Sequence, residues 1–291
     1  MTTPLGVIGG TGTIGRPLVR RLLHHARQFR CIVRDAARAR SVLPDGVEFR
    51  EADLRDPDSI AAAIEGCQTV YTNLAQPFSQ RAWDPDLEGT RTLIHAAKRA
   101  GVRRIMRISA LGCPEYRDGW WVIRNKATAE DELMASGLEW TIFRPTWLME
   151  SLGLFVLGPL ILKPGGPDTP LYWISGADYA DQVIRAVDLP ASVNRSYVVQ
   201  GPEPVSLGAA IRRFRKAMGG ARVVAPVPTA AVALMARLSS RPRYLRDLLR
   251  FTWATNEGFR AGQTWDELGR PETTIEAYAA SIRLIGDLPR K

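Results

Sequence analysis

A glycine-rich turn near the start of the chain constrains its fold more than any other feature. Residues 9–15 read Gly-Gly-Thr-Gly-Thr-Ile-Gly, so four of the seven are glycine. The turn follows a short apolar run and precedes a segment whose apolar residues recur on one helical stripe. Such a strand–turn–helix junction lets a pyrophosphate approach the backbone beside the free N–H groups that begin the helix. The alternative is a ligand-free turn, which needs only one or two glycines.

Short apolar runs alternate with helix-like segments through the first half of the chain. Strands are predicted near residues 5–8, 29–34, 47–49, 69–73, 104–109 and 139–143. Helices are predicted near residues 16–26, 57–65, 87–100 and 121–136. Asp58 or Ser59 is expected to open the second of these helices, and Gly66 to end it. Strands separated by crossover helices predict a parallel sheet with helices on both faces.

The pattern changes after Pro145, where glycine and proline crowd residues 153–170 and predict an irregular segment. A helix near 177–187 and a strand near 197–199 are expected to return to the sheet. Further helices are predicted near residues 207–218, 229–239, 244–253 and 274–285. The predicted fold is therefore a doubly wound α/β domain of residues 1–145 plus 176–201, with a small, mostly helical lobe of residues 146–175 plus 202–291.

Composition narrows the classes of partner. The 39 basic and 30 acidic residues give a net charge of +9, which favours anionic ligands or a basic solvated surface. Residues 212–216 and 241–250 are strongly basic, but no nucleic-acid-binding motif accompanies them, so nucleic acid is not expected as a partner. The three histidines lack metal-ligand spacing, and no metal site is predicted. The spacing of Cys31, Cys67 and Cys113 indicates reduced thiols in a cytoplasmic protein.

No membrane span is predicted. The apolar stretches 147–162 and 223–238 are both interrupted by proline and by a charged residue. An amphipathic surface helix within the second stretch remains an open alternative.

The end of the second strand indicates which dinucleotide would bind. Arg34 and Asp35 are adjacent there, with Arg38 and Arg40 close behind. A guanidinium would pair with the 2′-phosphate of NADP(H), whereas a carboxylate would accept hydrogen bonds from the ribose of NAD(H). We favour NADP(H) through Arg34, and NAD(H) through Asp35 stays the alternative.

At this point the chain resembles the short-chain dehydrogenase/reductase superfamily, in its atypical NmrA-like branch. Besides the glycine turn, the resemblance rests on the runs at residues 33–35, 52–56, 107–112, 126–138, 141–150, 197–202 and 268–275. It implies a Rossmann-type fold and covers nearly the whole chain.

The resemblance also implies roles for single positions. The expected cofactor contacts, from the pyrophosphate turn to the nicotinamide end, are Gly9, Thr11, Gly12, Thr13, Ile14, Gly15, Arg34, Asp53, Leu54, Asn73, Leu74, Ala75, Lys126, Pro145 and Thr146. Asp53 would meet the adenine and Lys126 the nicotinamide ribose. As alternatives, Asp53 could cap a turn, and Lys126 could be a solvated lysine paired with Glu130.

The family pattern is broken at the proton donor. Typical members carry a tyrosine four residues before the lysine, and this chain has Val122 there. Ser109, at a strand end, would orient the acceptor, and Tyr116 is a candidate replacement acid whose alternative is a loop tyrosine. The catalytic candidates are therefore Lys126, Ser109 and Tyr116.

Two functions follow as expectations. The first is an NADPH-dependent reductase, a monomer or homodimer, that transfers a hydride to a small apolar or aromatic acceptor lined by Trp121, Trp147 and Phe155. The second is a non-catalytic NADP(H)-sensing regulator that acts through a protein partner, favoured by Val122.

Overall fold

The structure is a computed structural model that describes residues 3–255 and 257–285. The chain divides into two compact units. The first unit comprises the described parts of Met1–Pro145 together with Tyr179–Val198. The second comprises Thr146–Asp178 and the described parts of Val199–Lys291.

The strands, in chain order, fall into three sheets. They are β1 Leu5–Ile8, β2 Phe29–Val33, β3 Glu48–Glu51, β4 Thr69–Thr72, β5 Arg104–Ile108, β6 Glu139–Pro145, β7 Val156–Leu157, β8 Leu160–Pro164, β9 Pro170–Tyr172, β10 Arg195–Val199, β11 Pro204–Ser206 and β12 Val223–Val227.

The α-helices are also numbered in chain order, and two short 3₁₀ helices, Met149–Phe155 and Pro190–Ser192, accompany them. They are α1 Gly15–His24, α2 Ala36–Arg40, α3 Pro57–Ile64, α4 Glu88–Arg99, α5 Trp121–Met134, α6 Gly176–Asp188, α7 Leu207–Ala217, α8 Thr229–Leu238, α9 Ser240–Ala254, α10 Gly262–Leu268 and α11 Ile275–Ile285.

The main sheet confirms the predicted doubly wound α/β fold. Its strand order is β10-β6-β5-β4-β1-β2-β3, and β1 to β6 pair in parallel. The strand order reverses between β1 and β4, and ligands of such sheets bind in the crevice at the carboxyl ends of the strands at this point. The topology therefore directs attention to the loops that follow β1, β2 and β4.

The helices beside this sheet are anchored by an apolar face. Ile60 and Ile64 of α3 and Leu93 of α4 are fully buried, and they pack in one cluster with strand residues such as Val70 and Ile105. Burial of a side chain of this size stabilises a fold by about 1.5–3 kcal/mol.

The predicted capping residue of one helix is wrong, although its start at Pro57 is as predicted. The carboxylate of Asp56 accepts hydrogen bonds from the N–H groups of Asp58 and Ser59, so Asp56 caps α3 and Pro57 occupies its first turn. A proline is compatible with that position because its missing N–H would have no partner within the helix. Asp58 and Ser59 therefore lie inside the helix rather than before it.

The second unit contains more β structure than the sequence predicted. The segment expected to be irregular holds β7, β8 and β9. β8 pairs with β7 and with β12, whereas β9 pairs with β11. These strands have two to five residues each, several contain proline, and glycines lie in the turns between them, so they leave no readable alternation in the sequence. The tail also contains α10, which the sequence analysis missed.

The second unit has its own hydrophobic core. Phe214 of α7 stacks near Tyr278 of α11, and the buried residues Trp173, Leu152 and Ile211 belong to the same cluster. The indole N–H of Trp173 donates to the carbonyl oxygen of Val205 at 2.8 Å, so its polar atom is satisfied.

The sequence predicted neither a membrane span nor a metal site, and both predictions can be compared with the described residues. Within residues 3–255 and 257–285, no helix has the length and apolar character needed to cross a bilayer. Over the same residues, no group of three or more His, Cys, Asp or Glu side chains is arranged to hold a metal ion. Cys31, Cys67 and Cys113 are free and buried, and burial raises the pKa of the Cys31 thiol to about 12.

A buried carboxyl group makes the stability of the second unit depend on pH. Glu150 accepts hydrogen bonds from the N–H of Gly176 at 2.9 and 3.1 Å, yet burial raises its pKa to about 7. The folded protein therefore binds this proton more tightly than the unfolded chain. Its contribution to stability is complete below the ordinary pKa of 4.5 and is lost as the pH rises to about 7.

We predict that Glu150→Gln removes this loss. The free energy of unfolding of the variant should match that of the wild type near pH 4 and exceed it near pH 8 by on the order of 3 kcal/mol. Urea unfolding at both pH values checks the difference. A variant less stable than the wild type near pH 8 would contradict the account.

Candidate functional site

A cavity of about 780 Å³ lies in the first unit at the carboxyl ends of β1, β2 and β4. This volume is typical of ligand sites in proteins, which span about 300–1,000 Å³. Nine of the predicted cofactor contacts line it, namely Gly9, Thr11, Gly12, Arg34, Asp53, Leu54, Asn73, Leu74 and Ala75. The other six predicted contacts are outside this lining: Thr13, Ile14, Gly15, Lys126, Pro145 and Thr146. Their roles stay predictions.

Three glycines of the turn differ in how much space a side chain would have at their positions. Gly9 has a φ of +87°, and a Cβ there would lie 1.8 Å from the carbonyl oxygen of Asn73. A Cβ on Gly15 would lie 2.1 Å from the carbonyl oxygen of Gly9, so this glycine allows α1 to pack against the turn. A Cβ on Gly12 would meet only that same carbonyl oxygen, at 3.3 Å, and Gly12 lines the cavity.

These differences match the division of labour in dinucleotide-binding turns. One glycine makes the tight turn, one lets the backbone approach the pyrophosphate, and one allows close packing of helix and strand. Gly12 is the position at which a ligand could approach the backbone.

The beginning of α1 is suited to an anion. Ile14 precedes the helix and provides no side-chain hydrogen bond to it, and the first turn contains no acidic residue. The positive end of the helix dipole therefore lacks a charged partner from its own first turn. Arg16 also lines the cavity, and its Nε donates to the carbonyl oxygen of Thr11 at 2.9 Å, which holds a guanidinium beside the turn.

The residues after β2 differ in their availability. Arg34 and Arg38 are exposed and line the cavity. Asp35 lines it too, but its carboxylate caps α2 by accepting the N–H of Arg38 at 2.9 Å. Arg40 lies over the ring of Phe49, with its guanidinium carbon 5.5 Å from the ring centroid. The structure thus brings two of the three nearby arginines to the cavity.

Another part of the cavity lining comes from the residues after β3. Asp53 accepts the N–H of Arg55 at 2.9 Å, so it caps a turn and lines the cavity at the same time. The guanidinium of Arg55 lies over the ring of Trp83, 5.0 Å from its centroid. Leu54 is half-buried on the same wall, where its apolar side chain could face a base.

Asn73, Leu74, Ala75 and Gln76 continue the wall beyond β4. The N–H of Asn73 donates to the carbonyl oxygen of Ile8 at 3.0 Å, which joins this segment to β1. Gln76 donates from Nε2 to Asp86 at 2.7 Å, whereas its Oε1 is buried and accepts no hydrogen bond from the described residues. An unpartnered acceptor on a cavity wall is a position where a ligand hydroxyl or amide could donate.

Lys126 lies in a buried charge cluster centred on Asp86. The Lys126 ammonium contacts Asp86 Oδ2, and Arg107 Nη2 contacts Asp86 Oδ1 at 2.7 Å. All three side chains are at most one-tenth exposed. Glu130 is instead bound by Arg144 at 2.5 Å. The interpretation of Lys126 as a solvated lysine paired with Glu130 is therefore wrong.

The same cluster fixes the charge of its carboxylate. Burial acts to raise the pKa of Asp86, but Lys126 and Arg107 lower it below its usual value. A carboxylate without such partners would be costly to bury, whereas two cations and Gln76 compensate this one. Arg107 nevertheless keeps two buried donors, Nε and Nη1, that find no acceptor among the described residues. The cluster thus has unused hydrogen-bonding capacity near the wall formed by Gln76.

Ser109 and Tyr116 are the other two catalytic candidates. Ser109 follows β5, is buried, and its hydroxyl lies 3.4 Å from the thiol of Cys113. Tyr116 is half-buried in the loop before α5. Val122 is buried one helical turn before Lys126, where typical family members would have the tyrosine. The roles of Ser109 and Tyr116 stay predictions.

The predicted substrate contacts belong to different units. In the first unit, Trp121 opens α5 and packs edge-to-face with Trp120, with ring centroids 6.5 Å apart. In the second, Trp147 stacks on Phe155 at 6.4 Å, and its indole N–H donates to Thr252 at 3.1 Å. Phe155 is only 3% exposed. Contact of these three residues with a substrate stays a prediction.

Sequence reasoning missed four residues at or beside the cavity: Arg16, Gln76, Asp86 and Arg107. Arg16 could have been found from its place directly after the last glycine of the turn. Asp86 lies in an acidic run, Asp84 to Glu88, that reads as an ordinary helix start. Nothing in the spacing of Asp86 and Lys126, which are 40 residues apart, indicates that they meet.

The residues present fit a dinucleotide. Gly12 leaves backbone open where a pyrophosphate would lie, the first turn of α1 supplies N–H donors, and the Oε1 of Gln76 lacks a donor. Two exposed arginines, Arg34 and Arg38, line the same cavity.

Comparisons with known proteins agree with this fit. Residues 9–190 match the model of a family described as NAD(P)H-binding. The NAD(P)H azoreductase of Xenophilus azovorans is 31% identical over 280 residues, which are 93% of this chain and 83% of that protein. The photosystem II assembly factor Ycf39 of Synechocystis sp. is 26% identical over 266 residues, 87% of this chain and 77% of that protein.

A solved structure has the same fold. It is the NADPH-dependent quinone oxidoreductase of Escherichia coli in complex with NADPH, with a TM-score of 0.76 and 22% identity. The match covers 96% of this chain and 99% of the other.

The glycine geometry gives a paired prediction. Gly12→Ala should leave the thermal unfolding midpoint unchanged but weaken dinucleotide binding at least about tenfold, because its Cβ would occupy ligand space. Gly15→Ala should destabilise the fold by about 1–3 kcal/mol, because its Cβ would collide with backbone. Thermal unfolding and calorimetric titration separate the two effects. Wild-type affinity in Gly12→Ala would refute the assignment.

Proposed function

The chain belongs to the family described as NAD(P)H-binding, and we propose that it is an NADPH-dependent reductase of a small apolar or aromatic acceptor. The observation that carries the proposal is the cavity at the strand-order reversal, with Gly12 open to it and Arg34 and Arg38 at its lining. The azoreductase relative and the quinone oxidoreductase structure support reduction as the reaction class.

The binding roles follow from the side chains on the cavity wall. The backbone at Gly12 and the start of α1 would hold the pyrophosphate. Arg34, with Arg38 beside it, would pair with the 2′-phosphate, since both are exposed cations on the cavity lining. Asp53 and Leu54 would meet the adenine, and Asn73 to Ala75 would lie beside the nicotinamide half.

Bound NADPH would supply the hydride. The chain would position the nicotinamide and the acceptor and would exclude water. Lys126 is the cation we assign to the nicotinamide ribose, and Asp86 orients its ammonium. Val122 cannot donate a proton, so the proposed acceptor is one that takes its proton from water or needs none before release. A quinone is an acceptor that needs no proton before release, because hydride addition gives a phenolate, and a phenol has an ordinary pKa of about 10. An azo group would take its proton from water as the hydride is added.

Apolar side chains support the proposed acceptor class. Trp121, Trp147 and Phe155 are the residues we assign to its recognition. An apolar or aromatic acceptor would gain from contact with such rings, whose stacking contributes about 0.5–1.5 kcal/mol beyond burial.

A second candidate function is a non-catalytic NADP(H)-binding regulator that acts through a protein partner. Two observations favour it: Val122 at the proton-donor position, and a relative named as an assembly factor. It predicts nucleotide binding without turnover.

The experiment that tests the first proposal is anaerobic NADPH oxidation with a panel of benzoquinones, naphthoquinones and azo dyes. Lys126→Met should lower kcat/KM by about a hundredfold, because the nicotinamide would lose its positioning cation. Asp86→Asn should also lower kcat/KM. It would leave the buried cations of Lys126 and Arg107 without their carboxylate, at a cost of about 3–5 kcal/mol in stability. Lys98→Met, which removes an exposed cation on α4, should leave the rate unchanged.

The two candidates give different results in this experiment. NADPH binding without oxidation by any acceptor would reject the reductase and favour the regulator. A wild-type rate in Lys126→Met with a true substrate would reject the role of Lys126.

A further inference from the structure

The second unit presents an apolar stripe on α8 that the other described residues leave exposed. Leu234, Met235 and Leu238 are 61%, 45% and 84% exposed, respectively. Leu234 and Leu238 are four residues apart and therefore lie on the same face of the helix. The opposite face of α8, with Val232 and Ala236, is buried. The stripe is thus an outer face of a packed helix and not part of the core.

The same hairpin of helices carries a concentrated positive charge. Residues 229–254, which span α8 and α9, contain five arginines and one acidic residue, so their net charge is 5 − 1 = +4. The arginines are Arg237, Arg241, Arg243, Arg246 and Arg250. The acidic residue, Asp247, is paired with Arg246 at 2.7 Å. Almost half of the chain's net charge of +9 is therefore placed on these 26 residues.

The charges lie beside the apolar stripe. Arg237 is exposed and lies between Leu234 and Leu238 along α8. Arg243 is exposed on α9, and its Nε donates to the carbonyl oxygen of Ala236 at 3.1 Å, which ties this side chain to the same end of α8. An exposed leucine stripe bordered by guanidinium groups is the arrangement of helices that lie in the interface of an anionic bilayer.

We propose that the α8–α9 hairpin docks this protein onto a membrane surface that contains anionic phospholipid. Leu234, Met235 and Leu238 would enter the boundary between headgroups and acyl chains. The neighbouring arginines would pair with lipid phosphates, since each such cation gains from the negative surface potential. The proposed attachment is peripheral, through the side chains of a helix that lies along the membrane surface. It does not depend on the proposed reductase activity.

Charge argues against a second copy of the chain as the occupant. A two-fold contact through this face would bring ten arginines together, with one carboxylate per copy that Arg246 already binds. Like charges at that density oppose association. A fluid headgroup layer also receives a protruding leucine such as Leu238 without needing a preformed pocket, whereas a protein partner would need one.

The test is sedimentation of the full-length protein with phosphatidylcholine vesicles, with and without phosphatidylglycerol. Binding should require phosphatidylglycerol and weaken at high salt, because screening removes the electrostatic part. The double variant Leu234→Ser/Leu238→Ser should lower the partition coefficient at least about tenfold. The double variant Arg237→Gln/Arg243→Gln, which removes the two arginines beside the stripe, should also lower it, and it leaves the apolar stripe intact.

Met134→Ser is the matched control. Met134 is 38% exposed at the end of α5 in the first unit, close to the 45% of Met235, and its replacement should leave vesicle binding unchanged. Circular dichroism and NADPH binding check that each variant is folded. The arginine variant and the salt dependence test the same surface independently of the leucine variant. The proposal can therefore still be tested if the leucine variant does not fold.

Several results would overturn the proposal. They are no wild-type binding to phosphatidylglycerol vesicles, equal binding to neutral vesicles at all salt concentrations, and wild-type binding by both double variants. Sedimentation velocity that shows a dimer dissociated by Leu234→Ser/Leu238→Ser would assign the stripe to a second copy instead.

Discussion

The close approach of the first strand, the turn after it and the start of the first helix is the constraint on which the nucleotide site depends. Gly9 has almost no space beside the carbonyl oxygen of Asn73, and Gly15 packs directly on the backbone of Gly9. Side chains at these two positions would push β1, β4 and α1 apart. With them as glycine, the beginning of α1 faces the same cavity as the ends of the strands, and Gly12 is left open to a ligand. Local sterics therefore create the pocket, and charge then selects what enters it.

A second interaction connects this cavity to the interior of the first unit. Asp86 is contacted by Lys126, Arg107 and Gln76, and Gln76 lies on the cavity wall. A buried ion pair adds little net stability, but it fixes the orientation of its members. In the proposed reductase this cluster would hold Lys126 in one position beside the nicotinamide ribose. The stability of the first unit depends on Asp86, because its loss would leave two buried cations, Lys126 and Arg107, without a carboxylate.

The sequence predicted the features that depend on local chemistry. The glycine turn, the alternation of strands and helices, and the arginines after β2 all have short-range signatures, and the parallel sheet and much of the cavity lining followed from them. Features that depend on distant residues were missed. Lys126 and Asp86 meet across 40 positions, and the short strands β7, β8 and β9 exist only because β11, β12 and each other provide partners. The structure also separated Arg38, which lines the cavity, from Arg40, although nothing in the sequence distinguishes these two.

In the proposed reductase, Arg34 on the cavity lining recognises the 2′-phosphate of NADPH. The most direct measurement is calorimetric titration of cofactor-free protein with NADPH and NADH, for the wild type, Arg34→Ala and Arg40→Ala. Arg40 is the control because its guanidinium lies over Phe49 and outside the cavity lining. The account predicts NADPH binding at least about tenfold tighter than NADH, roughly 1.4 kcal/mol, with the preference lost in Arg34→Ala and kept in Arg40→Ala. Equal affinity of the wild type for both nucleotides, or an unchanged preference in Arg34→Ala, would contradict it.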